Sequence, residues 1–310
     1  MQLFDLHCDT LYRALTEGDS ICVNKFFLSV KRGKKYNPWI QCFAVWIPDD
    51  FRGKKAIDLF EKSYLKLNDD ISNNSSMIMQ CKSSEDLKRA IKENKCAAIF
   101  TVEGGAALGG KISTLEEMAH YGVKIMTLTW NGECELGDGC GVSNARGLTE
   151  FGKRVVGRME ELNIIVDLSH ASDKLFYDVC EITNKPIIAT HSNSRTICNH
   201  VRNLTDAQFE IIRNRKGLVG INFYPEFLST NHRATFDDIL RHVEHFLSLK
   251  GEDVICLGSD FDGADMPKEI EGVESLSNLY EYFLKHNYSQ TITDDIFFNN
   301  AYNFFKNNIV

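Results

Sequence analysis

Five short segments carry residue types that can do hydrolytic chemistry together: His7-Cys-Asp9, Glu103-Gly-Gly105, Asp167-Leu-Ser-His170, Ala189-Thr-His191 and Ser259-Asp-Phe-Asp-Gly263. Each alone has a plain structural reading. A histidine at a strand end is usually a hydrogen-bonded structural residue, and an aspartate before glycine is usually a turn. The set is different, because histidines and carboxylates without clustered cysteine suit zinc, with manganese or cobalt as alternatives. The His7-x-Asp9 spacing fits one ion, since side chains two apart on a strand point the same way. Cys8 between them then points away as a small buried residue.

These segments need elements that bring them to one place. Each lies at or just after the end of an apolar run, and the runs 2–8, 40–47, 96–103, 124–130, 163–169, 186–191, 217–222 and 254–260 read as eight strands. They are nearly continuous in apolar residues, as parallel strands buried on both faces are. Helical patterns over 54–73, 83–94, 113–121, 149–162, 171–184, 205–214 and 235–250 alternate with them, and two more, 275–286 and 293–306, follow the last strand. Ser83 and Ser113, each followed three residues later by an acid, read as capping boxes. Alternating strands and helices mean a parallel sheet, and eight units predict a closed α/β (β/α)8 TIM barrel with an extra C-terminal helix. In that barrel the C-terminal strand ends form one mouth, where the five segments converge.

Composition bounds the rest. The chain has 310 residues, a net charge of −8 and 43% hydrophobic residues. The barrel uses nearly all of that length, so residues 1–310 are expected to form one domain. The acidic balance argues against a nucleic-acid partner, which needs lysine and arginine against phosphates. No run approaches the ~20 apolar residues that span a bilayer, and no basic-then-apolar leader opens the chain. The ten cysteines are dispersed without a C-x-x-C pair. A reducing cytoplasm, with no membrane partner, is the expected setting.

The segments, taken in order, resemble the membrane dipeptidase (renal dipeptidase) family, peptidase family M19, among the amidohydrolase-like barrels. The likeness runs through Asp5-Leu-His-Cys-Asp-Thr10, Glu103-Gly-Gly105, Leu128-Thr129, Gly147-Leu-Thr-Glu-Phe-Gly152, Val166-Asp-Leu-Ser-His170, Thr190-His-Ser192, Arg202-Asn203, Asn222-Phe-Tyr224 and Gly258-Ser-Asp-Phe-Asp-Gly263. It implies a dizinc dipeptidase in which His7 and Asp9 hold one ion, His170 and His191 the other, and Glu103 bridges both. Water would attack the peptide carbonyl between the ions. Arg202 would hold the substrate carboxylate, and Asp260 would relay a proton to the leaving amine. The family tolerates a D-residue at the carboxyl side, and its members often form a homodimer. Asp262 reads as a turn residue, and Asp167 as a partner of a ligand histidine or a buried structural acid.

One position departs from the pattern. Where well-studied relatives carry a histidine that contacts the substrate carbonyl, this chain has Trp130, followed by Asn131. Phe227 stands where some relatives place a tyrosine near the amino end of the substrate. Trp130, Asn131 and Phe227 are therefore expected to shape substrate binding. The change also admits two other readings: a barrel amidohydrolase acting on N-acyl amino acids or lactones, and a metal-retaining binding protein impaired in turnover. Two further features look like sites and are not read as such. Gly105–Lys111 nearly spells a phosphate loop but is followed by Ile112. His242 and His245, three apart on a helix, are expected on a solvated outer face. Residues 132–147 read as an active-site loop or a surface loop.

Overall fold

The computed structural model describes residues 1–231 and 233–309. Nine parallel strands form its sheet: β1 Leu3–Asp5, β2 Trp39–Trp46, β3 Ile78–Gln80, β4 Cys96–Glu103, β5 Val123–Thr127, β6 Ile165–Asp167, β7 Ile187–Ile188, β8 Val219–Ile221 and β9 Ile255–Leu257. Eight follow the order β7-β6-β5-β4-β2-β1-β9-β8. The ends meet through Ala189 and Val219: Ala189 N donates to Leu218 O at 2.9 Å and Gly220 N to Ala189 O at 2.8 Å. The result is the expected (β/α)8 barrel.

The ninth strand, β3, escapes the sequence reading. It pairs with Cys96–Ala98 of β4, while β5 pairs with Phe100–Glu103. Three residues with one ladder partner leave too short an apolar run to register. β4 matches its predicted bounds, and the other strands end before their predicted C-terminal ends, because those residues leave the ladder to reach the mouth. In β1 the cause is visible. The Asp5 carboxylate takes the Ser259 N–H at 2.8 Å and its hydroxyl at 2.6 Å, so β1 and β9 share a single rung, Asp5–Leu257.

Most helices start and stop within two residues of their predicted ends. Ser83 caps Ser84–Lys92 through the Asp86 N–H at 3.2 Å. The second predicted box fails: Ile112–Tyr121 begins before Ser113, with Lys111 as its uncapped N-cap. Thr10–Glu17, directly after Asp9, is a helix not predicted. The C-terminal helix is broken into Gln290–Asp294, a wide π-type turn Asp295–Asn299, and Asn300–Asn308.

Two cores hold the barrel. The larger packs the helices against the strands. The smaller joins Phe4, Ile40, Ile99, Ile125, Ile165, Ile188 and Cys256 with Phe298, Phe304 and Phe305 of the C-terminal segment. Strand register puts Ile99, Ile125, Ile165 and Ile188 on the face that also bears Glu103. That face is the barrel interior: apolar below, ionisable at the mouth. His242 corrects an expectation here. It is fully buried, accepting from Ser194 N at 3.0 Å and bonding Leu228 O through Nε2 at 3.0 Å. Such satisfied burial fits a structural role. His245 is partly buried and pairs with Asp206 at 2.8 Å.

Candidate metal centre

The barrel mouth gathers His7, Asp9, Glu103, His170 and His191, none more than 7% exposed. Glu103 sits at the middle of the group. Its Oε1 lies 2.7 Å from His170 Nε2 and 3.2 Å from His191 Nε2, while Oε2 faces His7 Nε2 at 3.7 Å. His7 Nε2 is in turn 3.4 Å from Asp9 Oδ2 and 3.8 Å from Asp260 Oδ1. Two donor sets, His7/Asp9/Glu103 and Glu103/His170/His191, therefore share one carboxylate.

The donors fit cations. Asn131 Oδ1 lies 2.8 Å from His170 Nδ1 and takes its proton. Thr190 Oγ1, whose own proton goes to Asp167 Oδ2 at 2.6 Å, lies 2.8 Å from His191 Nδ1. Both rings thus turn their Nε2 lone pairs inward, and these stand 2.9 Å apart. Two lone pairs beside a carboxylate oxygen repel unless a positive charge lies among them. Asp9 Oδ1 is buried with no hydrogen-bond partner, a costly state that a cation relieves.

Charge and burial shift His170 and His191 in the direction that suits ligation, and His7 and Glu103 toward protonated forms that must lose a proton to bind a cation. Burial holds His170 and His191 well below the usual imidazole range, with Arg202 and His7 adding to it. Burial would lower His7 too, but Glu103 and Asp9 outweigh it and raise the ring to about 10. Burial lifts Glu103 well above the carboxylate range, and Asp9 and Asp260 push the same way. Asp260 is raised to about 6 by burial and then by Asp9.

Local backbone places several of these side chains. His170, Asp260 and Asp262 have φ of 65°, 64° and 69°, a region non-glycine residues enter only when their surroundings fix them. Cys140 N–H donates to His170 O at 2.8 Å, so the 132–147 loop packs behind this ligand. Gly263 has no room for a side chain, since a Cβ would stand 2.0 Å from Asp9 Oδ2. Asp262 accepts from Thr10 Oγ1 at 2.5 Å, Phe27 N at 2.7 Å and Leu28 N at 3.2 Å, and so orders loops.

The other predicted residues surround this cluster. A cavity of about 570 Å³ is lined by Asp9, Glu103, His170 and Asp260, and also by Trp130, Asn131 and Phe227. Asn131 has its carbonyl oxygen on His170, which gives it a ligand-orienting contact in addition to its place on the wall. Arg202 is buried behind Phe227, 5.3 Å from the ring centroid. Its Nη2 donates to His191 O at 3.2 Å and its Nε has no partner. Three contributors went unassigned in the sequence. Thr190 links Asp167 to His191, Asn222 Nδ2 donates to Asp260 Oδ2 at 2.9 Å, and Asn193 braces Asn222 through two backbone hydrogen bonds of 2.9 Å. Neutral polar residues beside a ligand carry no spacing signal, although Thr190 and Asn222 stand in the motifs quoted above.

This fold and donor set define a metal-dependent barrel hydrolase. The sequence model of the membrane dipeptidase family (peptidase family M19) matches residues 1–308, and the chain belongs to that family. Among solved structures, dipeptidase AC, an M19 metallo peptidase, is 26% identical with a TM-score of 0.93, covering 100% of this chain and 99% of that one. A metallo peptidase from Rhodobacter sphaeroides, solved with a phosphinate mimic of the dipeptide L-Ala-D-Ala, is 25% identical with a TM-score of 0.93 over 100% and 99%. An uncharacterised protein in the pqqA 5′ region of Klebsiella pneumoniae is 30% identical over 261 residues, 81% of this chain and 96% of its own length. The protein is a metallo-dipeptidase. No helix among the described residues is long and apolar enough to cross a membrane.

Proposed function

We propose that the protein is a dizinc dipeptidase that accepts a D-residue at the carboxyl side of the scissile bond. The observation that carries the binuclear reading is Glu103, whose two oxygens face two different donor sets. His7 and Asp9 would hold one ion, His170 and His191 the other, and Glu103 both. Zinc bound there would supply Lewis acidity and lower the pKa of a water ligand. The D-residue reading is supported by the L-Ala-D-Ala mimic bound to the Rhodobacter relative.

The chain's own groups then have distinct tasks. Arg202, a buried guanidinium with an unpartnered Nε, binds the substrate carboxylate. Asp260 Oδ2 is held by Asn222, which leaves Oδ1 to move a proton from water to the leaving amine. Asn131 and Thr190 orient the two histidines. Residues 1–310 act as one cytoplasmic unit, with neither membrane nor nucleic acid as partner, and a homodimer is the expected assembly; residues 232 and 310 lie outside the described structure.

The test is metal analysis joined to a substrate screen. Two zinc per chain, with hydrolysis of L–L and L–D dipeptides and none of N-acyl amino acids or lactones, is the expected result. One metal per chain at full activity overturns the binuclear reading. Strict rejection of every L–D dipeptide overturns the stereochemical one.

A further inference from the structure

The chain has three tryptophans, and two of them line the catalytic cavity. Trp46 ends β2 and is the register partner of Glu103 at the end of β4. Trp130 follows β5, on the other side of β4. The two indoles meet edge to face with centroids 4.9 Å apart at 69°. Tyr12 extends the row, 4.9 Å from Trp46 at 77°. One side of the cavity is thus a continuous, uncharged aromatic wall.

The opposite side is built differently. Tyr224 and Phe227 follow β8, with Arg202 behind Phe227. In the strand order, β2 and β4 lie across the barrel from β7 and β8, and β5 adjoins β4. A dipeptide whose carboxylate reaches Arg202 would span the donor cluster and bring its amino-terminal residue to the tryptophans; Phe227, packed on Arg202, would then stand at the carboxylate end and not near the amino end as the resemblance implied. We infer that Trp46 and Trp130 form a specificity wall selecting dipeptides with a large apolar or aromatic amino-terminal residue. This rests on the assignment of Arg202 to the substrate carboxylate.

Physical chemistry favours that class over others. A charged side chain laid on the indole faces would lose water, and the two rings themselves offer it no ionic partner. Glycine or alanine would leave apolar surface uncovered in a cavity of about 570 Å³. An aromatic side chain can add an edge-to-face contact to an existing row of such contacts.

The experiment uses the zinc-loaded full chain with two dipeptide series, X–Ala and Ala–X, where X is Gly, Ala, Leu, Phe, Lys or Glu. In the X–Ala series kcat/KM should rise about tenfold or more from Ala to Phe, and fall for Lys and Glu. Trp46→Ala and Trp130→Ala should each bring the Phe/Ala ratio to within about threefold, mainly through KM, and Trp130→Phe should restore most of it. The ratio is taken within each variant, so a general loss of activity cancels. A flat X–Ala series, or a ratio unchanged in both alanine variants, overturns the proposal. A tryptophan-dependent preference confined to the Ala–X series also overturns it, by placing the carboxyl-terminal residue at the wall. If neither series is cleaved, the dipeptidase reading falls by itself. The wall is then decided by calorimetric binding of phosphinate mimics of Phe–Ala and Ala–Ala, with the same expected ratio and the same loss in the variants.

Discussion

The metal centre has two halves that are held in place by different means. On the β6–β7 side, His170 and His191 are neutral rings with outward hydrogen bonds, one to Asn131 and one through Thr190 to Asp167. Asp167 itself is saturated by Thr127, Thr190 and the N–H groups of Ser169 and Thr190. On the β1–β9 side, His7 is held by the charges of Asp9, Glu103 and Asp260, and Asp9 Oδ1 has no partner. The two meet where His7 stacks on His191 at 3.9 Å. One half is prepared by hydrogen bonds before any cation arrives. The other is a knot of charge that a cation completes. The β1–β9 ion is therefore expected to bind more weakly and to leave first under chelation.

Glu103→Ala breaks the comparison outright, since it serves both halves. Metal content should fall below one per chain and hydrolysis to background, as read by metal analysis beside kinetics. Asp260→Asn should lower kcat/KM on the order of 10²–10⁴-fold, with metal content intact. Loss of metal in that variant would show that Asp260 belongs to the β1–β9 ligand set instead. Asn131→Ala should weaken only the ion of the prepared half, by about 10–100-fold in affinity, measured by chelator competition. Equal weakening of both ions would erase the distinction.

His242, outside the centre, gives the smallest effect and tests whether hydrogen bonding and burial alone keep an imidazole neutral. Its pKa is lowered to about 4 by burial, against 6.5 for the free group. A lowered folded pKa gives stability that is complete above the unfolded value and lost as pH falls through the folded one. Between pH 7 and 4 this single group should remove on the order of 3 kcal/mol of folding stability. His242→Gln should flatten that part of the pH dependence in denaturant unfolding. An unchanged slope would refute it.

The barrel was legible because each long strand writes an apolar run and each helix a 3.6-residue pattern. The ligands were legible because histidine and acid stand at the ends of those runs. What stayed hidden depends on three-dimensional neighbours. β3 is three residues with one partner strand. His242 reads as exposed by type, and only the approach of Ser194 and Leu228 makes its burial tolerable. Asn131 stands where a substrate contact was expected, and its second contact, with His170, needs the 132–147 loop to fold back. Asp167, open between two roles in the sequence, acts on His191 only through a threonine hydroxyl.

The ring of strands also has a consequence in time. β1 lies between β2 and β9, so the cluster joins His7 to Asp260. A ribosome delivers His7 long before Asp260. A nascent chain that stops short of Asp260 lacks the proton relay, and one that stops short of His191 lacks a metal ligand as well. Activity becomes a report that the circle has closed.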